Sequence, residues 1–205
     1  MPIAGPALAG LIQLEMSSAG MTGQNVPQLS QAVGNGVVMT ILSTAIYTGT
    51  STGLGIGVGS STGTISGSIT IGVTVGNLIF VQMSALGLLG EKAQSLASAI
   101  GNAVATHMST AIVQGSSTVV AIGSGVGVIV GVLGPTMASN IFLQMQAMGL
   151  IGQNALQLSQ AIGNGIAMAI QASTVSTSIV GVAVGTVPLA FPPIPSVGVD
   201  TGKIL

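Results

Sequence analysis

The 205-residue chain has no cysteine, no tryptophan and no arginine, and full charge is confined to Glu15, Glu91, Lys92, Asp200 and Lys203. Without cysteine there are no disulfides, no thiolate nucleophile and no cysteine-held zinc or iron–sulfur centre. The single histidine, His107, cannot build a multi-histidine metal site. Two lysines cannot neutralise the roughly six to ten phosphates of a typical DNA contact. The few aromatics (Tyr47, Phe80, Phe142 and Phe191) give no platform for stacking bases. Direct nucleic-acid binding is therefore not expected, and neither is a cofactor. The start, Met1 to Pro6, has no basic stretch ahead of its apolar run and is not expected to act as a secretory signal.

The scarcity of charge is the most informative absence. Ordinary soluble domains devote about a quarter of their residues to charge; here the figure is 2%. A folded chain of 19.8 kDa exposes roughly 8,600 Å² of surface by mass scaling, and isolated proteins with so little charge on such an area rarely stay dissolved. Apolar residues make up 48% of the chain, so it has the means to bury a core. Most of its outer surface is expected to face other protein or lipid.

What is present is a repeat. The segments starting at Ile12, Ile79 and Ile141 align without a gap, anchored on Gly34-Asn35, Gly101-Asn102 and Gly163-Asn164, with periods of 67 and 62 residues. In each copy a short apolar run ends at Gly-x-x-Gly (Gly20/Gly23, Gly87/Gly90, Gly149/Gly152), and a longer helical pattern follows. Asn77 and Ser139 stand where a side chain can cap the short run, and Asn25 and Pro27 mark the start of the first long helix. Each copy reads as a helical hairpin with a glycine turn.

The long helix carries two stripes. Gln153, Gln157, Gln160, Asn164 and Gln171 share one face, as do Gln24, Gln28, Gln31 and Asn35. A face washed by water usually carries Glu and Lys; amides suit a face bonded to another protein surface, where a buried charge costs more. The second stripe is small: Ser30, Gly34 and Val38, then Ala97, Gly101 and Ala105, then Ser159, Gly163 and Ala167. Small residues four apart let a second backbone approach. The candidate interface is therefore Gly34, Asn35, Gly101, Asn102, Gly163, Asn164, Gln157, Gln160, Ser159, Ala97 and Ser30.

After each helix the apolar period shortens to two. Leu54, Ile56 and Val58, then Ile69, Ile71, Val73 and Val75, alternate with small polar residues around a turn at 60–63, predicting a β-hairpin over 53–76. Val126 to Val132 and Val180 to Val184 repeat the pattern, with glycine along one face and edges that pair readily with other copies. The expected fold is α+β, with three tandem repeats, each a helical hairpin followed by a Gly/Val-rich β-ribbon. The units run 1–76 (helical hairpin 11–46), 77–138 and 139–187, followed by a Pro-rich extended arm, 188–205, suited to clasping a neighbour.

Candidate chemistry is thin. His107, Ser109 and Asp200 form a conceivable nucleophile set, but Thr40 and Ala169 replace His107 in the other copies, so a hydrogen-bonded interface histidine is the preferred reading. The alternating glycines at 53–59 and 123–127 lack the GK[ST] ending of a phosphate loop. Glu91 and Lys92 replace Gln-Asn at one hairpin turn, either as a wet turn or as an ion pair to a neighbour. Met16, Met83 and Met145 share one repeat position and read as adaptable core. No catalytic, cofactor or metal site is expected, and the chain is not expected to be an enzyme.

In its neutral repeats across residues 11–187 the chain resembles small structural proteins of bacteriophage virions, those of head, neck, tail or baseplate. That resemblance implies a passive role, joining, plugging or lining part of a particle alongside copies of itself and other structural proteins. The alternative is a membrane-inserting oligomeric channel with Gln and Asn in its lumen. The best candidate span, 118–134, is short and interrupted by Gly-Ser-Gly. A secreted, self-polymerising coat is a third possibility.

Overall fold

A computed structural model describes residues 4–54, 57–119, 122–182 and 195–204. The short apolar runs form α1 (Gly5–Ser18), α3 (Gly72–Ala85) and α5 (Gly134–Ala147); the longer patterns form α2 (Asn25–Thr44), α4 (Ala93–Thr110) and α6 (Ala155–Ala172). Each short helix stops in the same way. Gly20, Gly87 and Gly149 take φ values of +76°, +77° and +71°. The next amide donates to the carbonyl five residues back: Met21 to Met16 at 2.9 Å, Leu88 to Met83 at 2.8 Å and Leu150 to Met145 at 2.8 Å. Only glycine takes this left-handed backbone at little cost, and the reversal sends the next helix back alongside the first.

The helix starts differ from expectation. Asn77 and Ser139 do not cap; they lie inside α3 and α5, where Ser139 Oγ donates to the Pro135 carbonyl at 2.9 Å. The flanking residues Ile71 and Leu133 make no side-chain cap bond. Proline sets the first turn of α1 and α5, so both begin before the apolar period becomes visible, and α1 starts at Gly5 rather than near residue 11.

The strands are β1 (Ile46–Leu54), β2 (Gly57–Ser66), β3 (Ile112–Val119), β4 (Ile122–Val130), β5 (Thr174–Val182) and β6 (Pro195–Ile204). Each pairs antiparallel with the next, and β6 returns to β1, so the sheet closes into a barrel. Among the described residues, closure leaves no free strand edge for another copy. The fold is α+β with an antiparallel sheet.

The strand pattern expected from valine periodicity is partly overturned. Residues 60–63 lie within β2 rather than at a turn, and the run from Ile69 to Val75 enters a single 3-10 turn (Ser68–Thr70) and then α3. There Val75, Gly76, Ile79 and Met83 are buried at helical spacing. Val132 lies beyond β4, and Ile56 and Val184 fall outside the described residues. The Pro-rich segment is not simply an arm: residues 195–204 pair with both β1 and β5, satisfying two strand edges at once. Residues 188–194 are outside the described set.

The reason lies in the barrel interior. Tyr47, Ile65, Val113, Ile129 and Val175 are buried, whereas Val126 and Val128 on the opposite face of β4 are exposed. Glycines share the inner face and pair across strands, Gly49 with Gly63 and Gly115 with Gly127. A methyl on Gly49 would lie 2.5 Å from the Thr62 carbonyl and run into the Tyr47 hydroxyl. A ring of six strands is narrow, so a few apolar side chains fill it, and glycine stands at 49 and 63 where the Tyr47 ring reaches across.

The helices form a closed ring above one end of the barrel: each packs on its neighbours in chain order, and α6 packs on α1. Within a hairpin the crossing is at Gly34, Gly101 or Gly163. A methyl on Gly101 would sit 2.6 Å from both the Gly72 carbonyl oxygen and Gly76 Cα; one on Gly163 would sit 2.7 Å from Ala138 Cα. Between hairpins, Gly36 lies against Ile79 and Gly165 against Ile12. At the matching position α4 carries Ala103, and α4–α5 is the sparsest of the six crossings. Met16, Met83 and Met145 are buried, filling the core as expected.

Candidate interface

The small-residue stripe faces inward. Ser30, Ala97 and Ser159 are fully buried, and Gly34, Gly101 and Gly163 are buried at the crossings just described. Ser30 Oγ donates to the Val26 carbonyl at 2.8 Å and lies 3.5 Å from Met16 Sδ; Ser159 Oγ donates to the Leu156 carbonyl at 2.8 Å. The close approach read from these residues joins helices of the same chain.

The amides behave differently. Gln31, Gln157 and Gln160 are exposed, and Asn35, Asn102 and Asn164 are half-buried against Gly5, Gly72 and Gly134. With Met39, Thr106 and Met168 they form the narrow strip that each long helix leaves open between its flanking short helices. Gln171 Nε2 donates to the Val132 carbonyl at 2.6 Å, tying α6 to the segment after β4. Gln28 Oε1 is buried without a hydrogen-bond partner among the described residues.

Two clefts open on this strip. One, of about 380 Å³ between α1, α5 and α6, holds Glu15, Ser139, Leu156, Gln160 and Asn164, with Asn164 Nδ2 donating to Glu15 Oε2 at 3.2 Å. The other, of about 400 Å³, holds Asn102, Thr106, Ser109 and Gln144. No family model, characterised protein or solved structure matches this chain.

The remaining candidates lie apart from one another. His107 is buried in the last turn of α4, and its Nδ1 donates to the Ala103 carbonyl at 3.0 Å; Ser109 Oγ donates to the Thr106 carbonyl at 2.8 Å. Neither bond joins the two side chains, and Asp200 lies in β6 opposite Gly49 and Ile179. Glu91 and Lys92 are exposed at the α3–α4 turn. Among the described residues, no group of three or more His, Cys, Asp or Glu comes together, and no helix is long and apolar enough to cross a membrane.

One set of residues escaped the sequence reading. Leu14, Val81 and Leu143, on α1, α3 and α5, are 60%, 56% and 59% exposed. Ile71, Val73 and Leu133 are exposed near the barrel, and Leu89 and Ile151 at the hairpin turns. The signal was available: positions 14, 81 and 143 are apolar yet fall two residues before the buried Met16, Met83 and Met145, off the core-facing stripe.

Proposed function

We propose that this chain is a structural subunit of a large homo-oligomeric assembly, of the kind that builds virus and bacteriophage particles, with a passive joining, plugging or lining role. The observation that carries the reading is the recurrence of exposed apolar residues at Leu14, Val81 and Leu143 on an outer wall almost free of charge. Scattered exposed leucines are ordinary. Repeated ones, on a surface that has given up the charges that keep proteins apart, suit a wall covered by neighbours.

We further read the chain as three tandem copies of one unit, a helical hairpin followed by two strands. Supporting this are the equal placing of the Gly-Asn pairs against Gly5, Gly72 and Gly134 and the three like glycine turns. A chain built this way has threefold pseudo-symmetry, and its barrel, filled by Tyr47, Ile65, Val113, Ile129 and Val175, suits a plug better than a conduit. The outward residues of β1 to β3 include Thr48, Thr50, Thr62, Thr64, Gln114 and Ser116, which favour water or protein over lipid as their neighbour.

Sedimentation velocity of purified protein in detergent-free buffer tests the reading. The expected result is a species many times the mass of one chain, with no flotation on added vesicles. A chain that floats with vesicles and requires detergent would replace this reading with the membrane-channel alternative.

A further inference from the structure

Within the helical ring, charge appears only where the threefold pattern breaks. Glu15 stands where the other units carry Gln82 and Gln144; Glu91-Lys92 stand where they carry Gln24-Asn25 and Gln153-Asn154. Glu15 lines the cleft between α1, α5 and α6, half-buried, with Asn164 as its hydrogen-bond donor. The corresponding cleft beside α4 has the neutral Gln144 and Asn102. Lys92 is exposed at the α3–α4 turn, close in sequence to Leu89, which is 72% exposed. Among the described residues neither Glu15 nor Lys92 has an ion-pair partner.

The ring keeps these charges apart within one chain. Helix α1 packs between α2 and α6, and α4 between α3 and α5, so α1 and α4 stand across the ring from one another. Lys92, which shares its turn with Glu91, and the Glu15 cleft thus carry opposite charges on opposite sides of one body. A contact between two such sides in different copies is heterologous, and repeating it builds a ring or a filament.

Resting on the assembly reading above, we propose that Lys92 of one copy enters the Glu15 cleft of the next, with Leu89 packing toward Leu156, and that this pair selects one of three rotational registers. A neutral surface that repeats three times around an axis offers a neighbour three nearly equal ways to dock. One charge pair removes the degeneracy: covering Glu15 with a neutral turn desolvates a carboxylate without a counter-charge, and only the register that brings Lys92 avoids this.

The test compares E15Q, K92N, E15K, K92E and the exchanged pair E15K/K92E by sedimentation velocity, with circular dichroism to verify folding. E15Q and K92N each install the residue that another unit carries at that position, so the fold accommodates them. Each single reversal is expected to lower the assembled fraction roughly tenfold or more, and the exchange to restore most of it. E15Q and K92N should assemble more weakly, with reduced sensitivity to salt. Folded single reversals that assemble like wild type overturn the proposal, as does an exchange that fails to rescue. Loss with E15Q alone, K92N being silent, also overturns it, since the cation in the cleft would then come from another molecule. A wild-type chain that never assembles removes the underlying function reading, whereas wild-type assembly indifferent to all these variants removes only the Glu15–Lys92 contact.

Discussion

Replacing Gly101 with alanine tests the closed helical ring at its tightest point. The added methyl would lie 2.6 Å from the Gly72 carbonyl oxygen and 2.6 Å from Gly76 Cα, and it would strike the Gly76 nitrogen. All three are backbone atoms of α3, so no side chain can swing aside and α3 itself must move. Overpacking of this kind costs about 1–3 kcal/mol, and the backbone identity of the obstacles puts Gly101→Ala toward the upper end. Alanine returns up to about 1 kcal/mol through better helix propensity, leaving a net loss of roughly 1–2 kcal/mol. Gly10→Ala is the matched control. Gly10 is exposed in the middle of α1 with nothing within 4 Å of the new methyl, so that variant should gain about 0.5–1 kcal/mol. Urea unfolding followed by far-ultraviolet circular dichroism, at one protein concentration, measures both. Equal midpoints for the two variants would refute the argument that Gly101 is held by an intrachain crossing.

Tyr47→Ala removes the largest buried side chain of the barrel interior, which it shares with Ile65, Val113, Ile129 and Val175, and it should cost about 3–5 kcal/mol in the same urea assay; a loss below about 1 kcal/mol would mean that the ring adds little to the packing of the barrel. Gln31→Glu combined with Gln157→Glu leaves folding unchanged, since both residues are exposed. If neighbours cover the amide strip, the buried charges lower the assembled fraction roughly tenfold or more; normal sedimentation of this double variant would show that the strip stays wet.

The helical half of the fold was readable because its physics leaves periodic traces. The Gly-x-x-Gly turns and the buried Met16, Met83 and Met145 stand where their spacing puts them. The barrel was harder to read for a specific reason. Its inner face mixes buried Tyr47, Ile65, Val113, Ile129 and Val175 with Gly49, Gly63, Gly115 and Gly127, while Val126 and Val128 point outward. On β4 alternation survives, but its usual meaning is reversed. Strand β1, which reads IYTGTSTGL, carries almost no apolar alternation, and β6 is recognisable only through its pairing with β1 and β5, which lie far away in sequence. The candidate interface was legible as a set of residue types. A stripe of small residues marks close helix approach without saying whose helix approaches, and here Gly34, Gly101 and Gly163 meet helices of their own chain. The exposed Leu14, Val81 and Leu143 went unnoticed because apolar identity alone does not distinguish a core face from an outer one.

The central claim is that neighbours cover the neutral outer wall, and the absence of native cysteine allows this to be measured residue by residue. Single cysteines at positions 14, 81 and 143, reacted with a maleimide before and after urea dissociates the particle, report access to the wall directly. The account predicts labelling at least roughly tenfold slower in the intact particle at one or more of these positions, as expected for groups that become accessible only on opening. Equal rates at all three positions, in the intact and the dissociated protein, would contradict it.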